Sequence, residues 1–178
     1  MWSAIQSLLS RAFWLTRKRF PVPFRRATNS EERPSNSDVA IVGLVIDEQD
    51  RRLLAGLGSR HQWSVTFADS FETAQALAVE LRASAILCDR EAPGREWREV
   101  VEALSSGVHR PCVLLVSSVV DDYLWNEVVR RGGYDVPSKP LREEDLVRAI
   151  KLAWAYWNSA ARRHERAGDA EGSLSLNQ

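Results

Sequence analysis

The decapeptide AILCDREAPG, residues 85–94, brings the pattern of a buried strand directly up to an acidic residue. Four apolar residues precede Asp89, and Pro93-Gly94 is typical of a sharp turn. An ionised carboxylate at the end of a buried strand is costly unless a cation or a hydrogen-bond donor pairs with it. The fold and the function therefore depend on which residues end the neighbouring strands.

Similar apolar runs recur along the chain and are typical of buried strands. Between them, apolar residues recur at helical spacing, although Gly56 and Gly58 weaken the first helix. Strands that alternate with helices favour right-handed crossovers and one parallel sheet between two layers of helices. The predicted strands are 39–46, 63–68, 84–89, 111–118 and 134–138, and a helix follows each of them.

The composition divides the chain into regions. Residues 21–38 combine three prolines with serine, asparagine and charged residues, as linkers do. We expect one domain at 39–161, because a chain of 178 residues has room for a single core of ordinary size. An amphipathic basic segment, 1–20, precedes the linker, and the tail, 162–178, is predicted to be disordered.

Charge and hydropathy exclude several classes of partner and location. Basic and acidic residues balance at 24 each, so no overall charge points to nucleic acid. No apolar run reaches the ~18–20 residues that cross a bilayer. Cys88 and Cys112 lie within apolar runs, which is typical of a reduced, cytoplasmic protein. The segment 1–20 is predicted either to contact an anionic membrane weakly, to dock a partner, or to be a plain extension.

Polar side chains follow the predicted strands at the edge where parallel strands end, which is the ligand-binding edge of such sheets. Crowded carboxylates repel one another unless a cation neutralises them, and oxygen ligands without His or Cys suit Mg²⁺. A lysine and a hydroxyl beside such a carboxylate match the needs of a transferred phosphoryl group. The residues concerned are Asp47, Glu48, Asp89, Ser117 or Ser118, and Lys139.

From Val39 to Trp157 the chain resembles the receiver domain of bacterial two-component response regulators. The resemblance rests on Asp47-Glu48 after the first strand, the D-x-x-x-P-G run at Asp89, a hydroxyl residue after the fourth strand, and Lys139-Pro140 after the fifth. It implies a flavodoxin-like (βα)5 fold with a five-stranded parallel sheet in the order 2-1-3-4-5 and helices on both faces.

The resemblance also implies roles for individual residues. Asp89 is the expected phosphoacceptor, and Lys139 is expected to pair with the phosphoryl oxygens across from it. The peptide bond between Lys139 and Pro140 is expected to be cis. Beyond self-catalysed transfer and loss of the phosphoryl group, the chain is not expected to be an enzyme. The implied ligands of Mg²⁺ are Asp47, Glu48, Asp89 and the backbone carbonyl of Glu91.

The acid pair departs from the family pattern, and the choice of the hydroxyl residue is ambiguous. The acid pair is Asp-Glu, where the family more often has two aspartates or Glu-Asp. Counting back from Lys139 gives Ser117 as the hydroxyl residue, counting forward from Pro111 gives Val116, and Ser118 is the next choice. We take Ser117 as the predicted hydroxyl.

Two further departures concern the switch aromatic and the loop after Asp89. Val136 replaces the aromatic residue that the family usually has shortly before the lysine, and Tyr134 shares its face in a strand. Arg95-Glu96-Trp97 stands where the family usually has Asp-Gly. These departures leave open an alternative function, that of a pseudo-receiver that acts as a phosphorylation-independent protein-interaction module.

Partners follow from the resemblance as well. The expected phosphodonor is a phosphohistidine on a sensor histidine kinase or a phosphotransfer protein, and the expected output is a protein contact or a homodimer. The family commonly docks through its fourth helix, fifth strand and fifth helix, although each aromatic residue here can equally pack against the sheet. A phosphohydrolase is less favoured, because enzymes of that class have a second aspartate two residues after the first (D-x-D). Here Glu91 stands two residues after Asp89 (D-x-E). The aromatic residues are Tyr123, Trp125, Trp154, Tyr156 and Trp157.

Overall fold

The computed structural model of the chain describes residues 39–107 and 109–174, with side chains up to residue 160. The predictions for the segments 1–20 and 21–38 lie outside these ranges. Across the described residues, no helix combines the length and the apolar character needed to cross a bilayer.

The sheet is parallel and has the strand order β2-β1-β3-β4. Ile41 on β1 is paired with Val65 on β2 and with Ala85 on β3, and Ala85 is paired in turn with Cys112 on β4. This order agrees with the first four places of the predicted order and confirms the flavodoxin-like α/β class. The strands are β1 (Ala40–Leu44), β2 (Ser64–Phe67), β3 (Ala85–Asp89) and β4 (Cys112–Val116).

The predicted fifth strand is present only as isolated parallel bridges along the outer side of β4. Leu114 is bridged to Asp135, and Ser117 is bridged to Ser138. Pro137 lies between these bridges and has no N–H to donate, so the ladder is interrupted there. Over the described residues the sheet therefore has four strands and an irregular edge segment, 134–139, instead of the five strands predicted.

Side chains alternate between the two faces along each strand, so each face carries apolar residues and helices pack on both faces. Ile41, Leu87 and Leu114 pack with the helices α1 and α5, whereas Val42 and Ile86 pack with α2, α3 and α4. Every one of these five strand residues is fully buried. The helices are α1 (Glu48–His61), α2 (Phe71–Glu80), α3 (Trp97–Ser105), α4 (Asp122–Arg130) and α5 (Glu143–Leu174).

The last helix is longer than the sequence predicts. Three acidic residues in its first turn favour the helix start electrostatically, and Leu146, Ile150 and Ala153 face the sheet. The helix continues from the predicted end near residue 161 to Leu174. Residues 162–174 of the predicted disordered tail are thus helical in their backbone, and 175–178 lie outside the described residues.

Two glycines of α1 have different surroundings although they are two residues apart. Gly58 is buried against β2, where an added methyl group would lie 2.7 Å from Val65 Cγ2 and 3.2 Å from the carbonyl oxygen of Trp63. The same methyl group at Gly56 would meet nothing within 4 Å. Gly58 therefore allows the close approach of α1 to β2, whereas Gly56 only weakens the helix.

The substitutions Gly56→Ala and Gly58→Ala are expected to have opposite effects on stability. Gly56→Ala should raise the free energy of unfolding by about 0.5–1 kcal/mol, because alanine restricts the unfolded chain and favours the helix. Gly58→Ala should lower it by about 1–3 kcal/mol through overpacking against Val65. Urea unfolding followed by circular dichroism measures both, and a shift of both variants in the same direction would contradict the packing of α1.

Candidate functional site

Asp89 ends β3 inside the molecule. Asp89 is only 1% exposed, and its Oδ2 accepts a hydrogen bond of 2.9 Å from the backbone N–H of Ile46. The backbone N–H of Arg90 donates to the carbonyl of Val116 at 2.9 Å, which fixes the chain as it leaves β3. A carboxylate so deeply buried requires a cationic partner if it is to stay ionised.

Lys139 supplies that partner. Its Nζ lies 2.7 Å from Asp89 Oδ1 and 3.2 Å from Asp50 Oδ2. The backbone N–H of Lys139 donates to the Ser117 carbonyl at 2.9 Å, which ties the edge segment to β4. The Lys139-Pro140 peptide bond is cis, which confirms the prediction. The predicted meeting of Asp89 and Lys139 is thus observed.

Asp89 Oδ1 is paired with the Lys139 ammonium. This oxygen is buried, and the Lys139 ammonium, which carries three N–H donors, lies 2.7 Å away. Burial alone would lower the pKa of Lys139, but its contacts with Asp89 and Asp50 outweigh burial and raise the pKa above its ordinary value. Lys139 is therefore charged at neutral pH, as Asp89 requires.

The acid pair predicted as metal ligands, Asp47 and Glu48, is engaged elsewhere. Asp47 is the N-cap of α1, where its Oδ1 accepts from the backbone N–H groups of Gln49 at 2.8 Å and Asp50 at 3.0 Å. Glu48 is exposed and pairs with Arg52 one helical turn on, at 3.1 Å. β1 ends at Leu44, earlier than the apolar run in the sequence indicates, so this pair belongs to the start of α1 and not to the strand end.

The residues of the β1 end that lie level with Asp89 are apolar. The register pairs Leu44 with Cys88, so the next residue, Val45, lies at the level of Asp89. Val45 is buried, and Ile46, whose N–H binds Asp89, leaves its side chain 53% exposed. This end of the sheet therefore offers no carboxylate where the resemblance implies two.

Asp50 is the functional candidate that the sequence analysis missed. It lies in the first turns of α1, is 8% exposed, and shares Lys139 with Asp89. Its spacing of four and seven residues from the buried Leu54 and Leu57 places it on the apolar stripe of the helix. An acid on that stripe is the signal that predicts a buried ion pair.

The hydroxyl of Ser117, which was predicted to lie beside Asp89, makes its hydrogen bonds elsewhere. Ser117 is fully buried, but its Oγ donates to the carbonyl of Val119 at 2.8 Å and accepts from the Val119 N–H at 3.2 Å. Val116 is the register partner of Asp89 and so shares its face of the sheet. Ser118 is exposed and lies beside Lys139 in the groove described below. Both of these hydrogen bonds of the Ser117 hydroxyl are thus made within its own turn.

The predicted donor set for Mg²⁺ is not assembled. Glu91 lies in a turn that the Ala92 N–H closes onto the Asp89 carbonyl at 3.1 Å, and its side chain is exposed. Over residues 39–107 and 109–160, no group of three His, Cys, Asp or Glu side chains is placed to hold a metal ion. The side chains of Asp47, Glu48 and Glu91 are therefore not gathered around Asp89.

An open groove of about 710 Å³ lies beside the ion pairs, between α1 and the chain that leads into α5. Both charge signs line it, and the ion pair of Arg60 with Glu143, at 2.8 Å, spans from α1 to the start of α5. The groove connects the Lys139 ammonium with solvent. Its polar lining includes Asp47, Asp50, Arg52, Arg60, Ser118 and Lys139.

The aromatic residues predicted for a docking face divide between core and surface. Trp125 donates from Nε1 to Asp135 Oδ1 at 3.3 Å, and Trp157 donates to the His109 carbonyl at 2.9 Å, so both are held against the domain. Tyr123 is 64% exposed and Tyr156 is 52% exposed. The predicted switch substitute, Tyr134, packs with its ring centroid 5.5 Å from that of Tyr156, and burial raises its pKa to about 12.

Comparison with solved structures identifies the fold. The chemotaxis protein CheY4 of Vibrio cholerae matches 65% of this chain over 98% of its own length, with a TM-score of 0.58 and 18% identity. The BeF3-activated receiver domain of RstA from Klebsiella pneumoniae matches 65% of the chain over 97% of its length, with a TM-score of 0.58 and 18% identity. The chain has the fold of a response-regulator receiver domain.

NtrX of Brucella abortus, a longer protein, has the same receiver fold over 29% of its length. It matches 71% of this chain with a TM-score of 0.63 and 17% identity. No protein-family model matches the sequence, and no curated protein matches it either. At these identities the receiver fold is what the likeness shows, and the site has to be interpreted from its own residues.

Replacing Lys139 with methionine is expected to lower the free energy of unfolding by about 3 kcal/mol, because Asp89 then stays buried without a cation. The double variant Lys139→Met/Asp89→Asn should regain most of that loss, since the neutral amide needs no counter-ion. Denaturant unfolding of the three proteins measures the coupling.

Arg52→Met is the matched control, because it removes a basic residue of α1 whose partner Glu48 is exposed. Its effect should stay within about 0.5 kcal/mol. A double variant as unstable as Lys139→Met alone would contradict the role of Lys139 as the counter-ion of Asp89.

Proposed function

We propose that the chain is a signalling module of receiver fold that binds a partner protein without requiring phosphorylation of Asp89. The observation that carries this proposal is that the apolar Val45 lies at the level of Asp89 and the apolar Ile46 follows it. With Asp47 capping α1 and Glu48 on the surface, the site lacks the carboxylates that the phosphorylated members of the fold are expected to use.

Charge balance supports the same proposal. A phosphoryl group transferred to Asp89 would bring further negative charge to a carboxylate that is 1% exposed. Phosphoryl transfer depends on cations that neutralise the developing charge on the oxygens. Lys139 is the cation that contacts Asp89, and Asp50 already shares it. Among the described residues, the transfer would therefore need positive charge beyond the Lys139 ammonium.

The expected output is a contact made by exposed apolar side chains. Tyr123 on α4 is 64% exposed, and Leu152 and Tyr156 on α5 are 50% and 52% exposed. Tyrosines at this exposure are typical anchors of protein interfaces. A partner protein or a second copy of the chain is proposed to contact these side chains, and no nucleic acid is proposed.

A second candidate is the phosphoacceptor function, in which Asp89 accepts a phosphoryl group from a phosphohistidine donor with Mg²⁺. The specific observation in its favour is that the buried Asp89 Oδ1 faces the Lys139 ammonium at 2.7 Å. A histidine kinase or a phosphotransfer protein would then be the partner. Mg²⁺ would need ligands other than Asp47 and Glu48, whose contacts lie elsewhere.

Incubation with a small acyl phosphate and Mg²⁺ separates the two candidates. The proposed function predicts no gain of a phosphoryl group in the intact mass of the wild-type chain, with a receiver domain that is readily phosphorylated as the positive control. A gain that disappears in Asp89→Asn would establish the phosphoacceptor function instead. Release of phosphate in many-fold excess over the chain, faster than spontaneous hydrolysis and unchanged in Asp89→Asn, would identify a phosphohydrolase and overturn both.

A further inference from the structure

The two ends of the parallel sheet differ in charge. Every strand of the described sheet starts at the end opposite Asp89, and a short connection from a helix precedes β2, β3, β4 and the edge segment there. These connections contain arginine but neither aspartate nor glutamate. They are 62–63, 81–84, 106–111 and 131–133, and their arginines are Arg82, Arg110 and Arg131. We call this end of the domain the basic end.

The connections at the Asp89 end have the opposite balance of charge. Apart from Asp89 and Lys139 themselves, they hold more acidic than basic residues. The acids are Asp47, Asp69, Glu91, Glu96 and Asp121, and the basic residues are Arg90, Arg95 and Arg142. The excess of positive charge in the connections is therefore confined to the basic end.

Arg82 and Arg110 lie on neighbouring connections of the basic end. The backbone N–H of Ser84 donates to the Ala40 carbonyl at 2.9 Å, and that of Cys112 donates to the Ser84 carbonyl at 2.9 Å, so these strand starts are level. Each arginine stands two residues before one of these starts and is exposed. Neither side chain makes an ion pair or a hydrogen bond with another described residue. Both guanidinium groups are thus open to an anionic partner.

The chain enters the described domain at the basic end. The carbonyl oxygen of Val39 accepts a hydrogen bond of 2.9 Å from the backbone N–H of Ser64, which starts β2. Residues 1–30, which precede this point, contain six lysine and arginine residues and no acid. Within residues 1–20 the apolar residues recur at helical spacing in the sequence, a pattern typical of segments that bind anionic lipid.

The last helix leaves the domain at the same end. Trp157 donates from Nε1 to the carbonyl of His109 at 2.9 Å, in the connection that precedes β4. Beyond this contact the backbone of α5 continues as a helix to Leu174. Residues 161–168 of this extension include three arginines and one glutamate. Three separate parts of the chain with an excess of positive charge thus lie at the basic end or are joined to it.

Helix dipoles explain only part of this arrangement. They favour basic residues at the C-terminal ends of helices, which applies to Arg82 after α2 and to Arg131 after α4. Arg131 is also held by an ion pair of 2.9 Å with Glu102. The dipoles do not account for the six basic residues of 1–30, which stand apart in sequence from the C-terminal ends of the described helices. A common anionic partner accounts for all three parts.

We propose that the basic end binds the surface of an anionic membrane, and that residues 1–20 bind the same surface. Anionic lipid attracts lysine and arginine side chains within about 10 Å of the headgroups. The apolar residues of 1–20 favour lipid over nucleic acid, which offers phosphate charge but no apolar layer. The Asp89 end and the exposed Tyr123 at the start of α4 then face away from the lipid, toward a partner protein.

Sedimentation of the full-length chain with lipid vesicles tests the proposal. The wild-type chain should bind phosphatidylcholine vesicles that contain phosphatidylserine, should bind pure phosphatidylcholine far more weakly, and should be released by added KCl. Arg82→Gln/Arg110→Gln should lower the affinity for the anionic vesicles by about tenfold, because it removes two exposed charges from the basic end. Arg82→Lys/Arg110→Lys keeps both charges and should bind as the wild type does.

Arg95→Gln/Arg142→Gln is the matched control, because it removes two exposed charges from the Asp89 end. That end lies more than a Debye length from the lipid in the proposed orientation, so the affinity should change by less than about twofold. An equal loss in both glutamine variants would indicate only a response to total charge and would overturn the inference. Undiminished binding of Arg82→Gln/Arg110→Gln would show that residues 1–20 bind alone, and would overturn it as well.

The wild-type chain itself supplies two further outcomes that would contradict the proposal. One is equal binding, or none, to the neutral and the anionic vesicles. The other is tighter binding to duplex DNA than to the anionic vesicles at the same KCl concentration, which would assign the basic end to nucleic acid. The inference goes beyond the proposed function and does not rest on it, since failure of that function appears separately as phosphorylation of Asp89.

Discussion

The ion pair between Asp89 and Lys139 is the contact on which the functional end of the sheet depends. A carboxylate that is 1% exposed would destabilise β3 by several kcal/mol if it were left alone. The ammonium at 2.7 Å offsets that cost, and at 3.2 Å it also holds Asp50. One side chain thereby fixes α1, β3 and the edge segment relative to one another.

The sequence was sufficient for features that depend on local patterns. The four strands and the meeting of Asp89 with Lys139 follow from apolar runs and from which residues end them, whereas the cis bond before Pro140 was implied by the resemblance to receiver domains. The fifth strand is not confirmed: its segment lies beside β4 as predicted but forms only isolated bridges, because Pro137 removes one donor from a ladder that the neighbouring residues would otherwise continue.

The acids of the site could not be assigned from spacing alone. The run that ends at Ile46 looks like one strand, yet β1 stops at Leu44 and the chain turns into α1. A shift of one or two residues decides which acid faces inward, and here the helix turns Asp50 toward Lys139 and Glu48 toward solvent. The prediction for Ser117 differs from the structure for a related reason. Side chains of adjacent strand residues point to opposite faces, and Val116, not Ser117, shares the face of Asp89.

Pro137 has a consequence for how copies of the chain can meet. The open side of a sheet normally presents a row of N–H and C=O groups that recruits a strand from another molecule. Here the outermost chain forms only isolated bridges and carries a residue without an amide proton. Pairing of two copies through this edge of the sheet is therefore disfavoured, and recruitment of a strand is left to the opposite edge, which β2 forms.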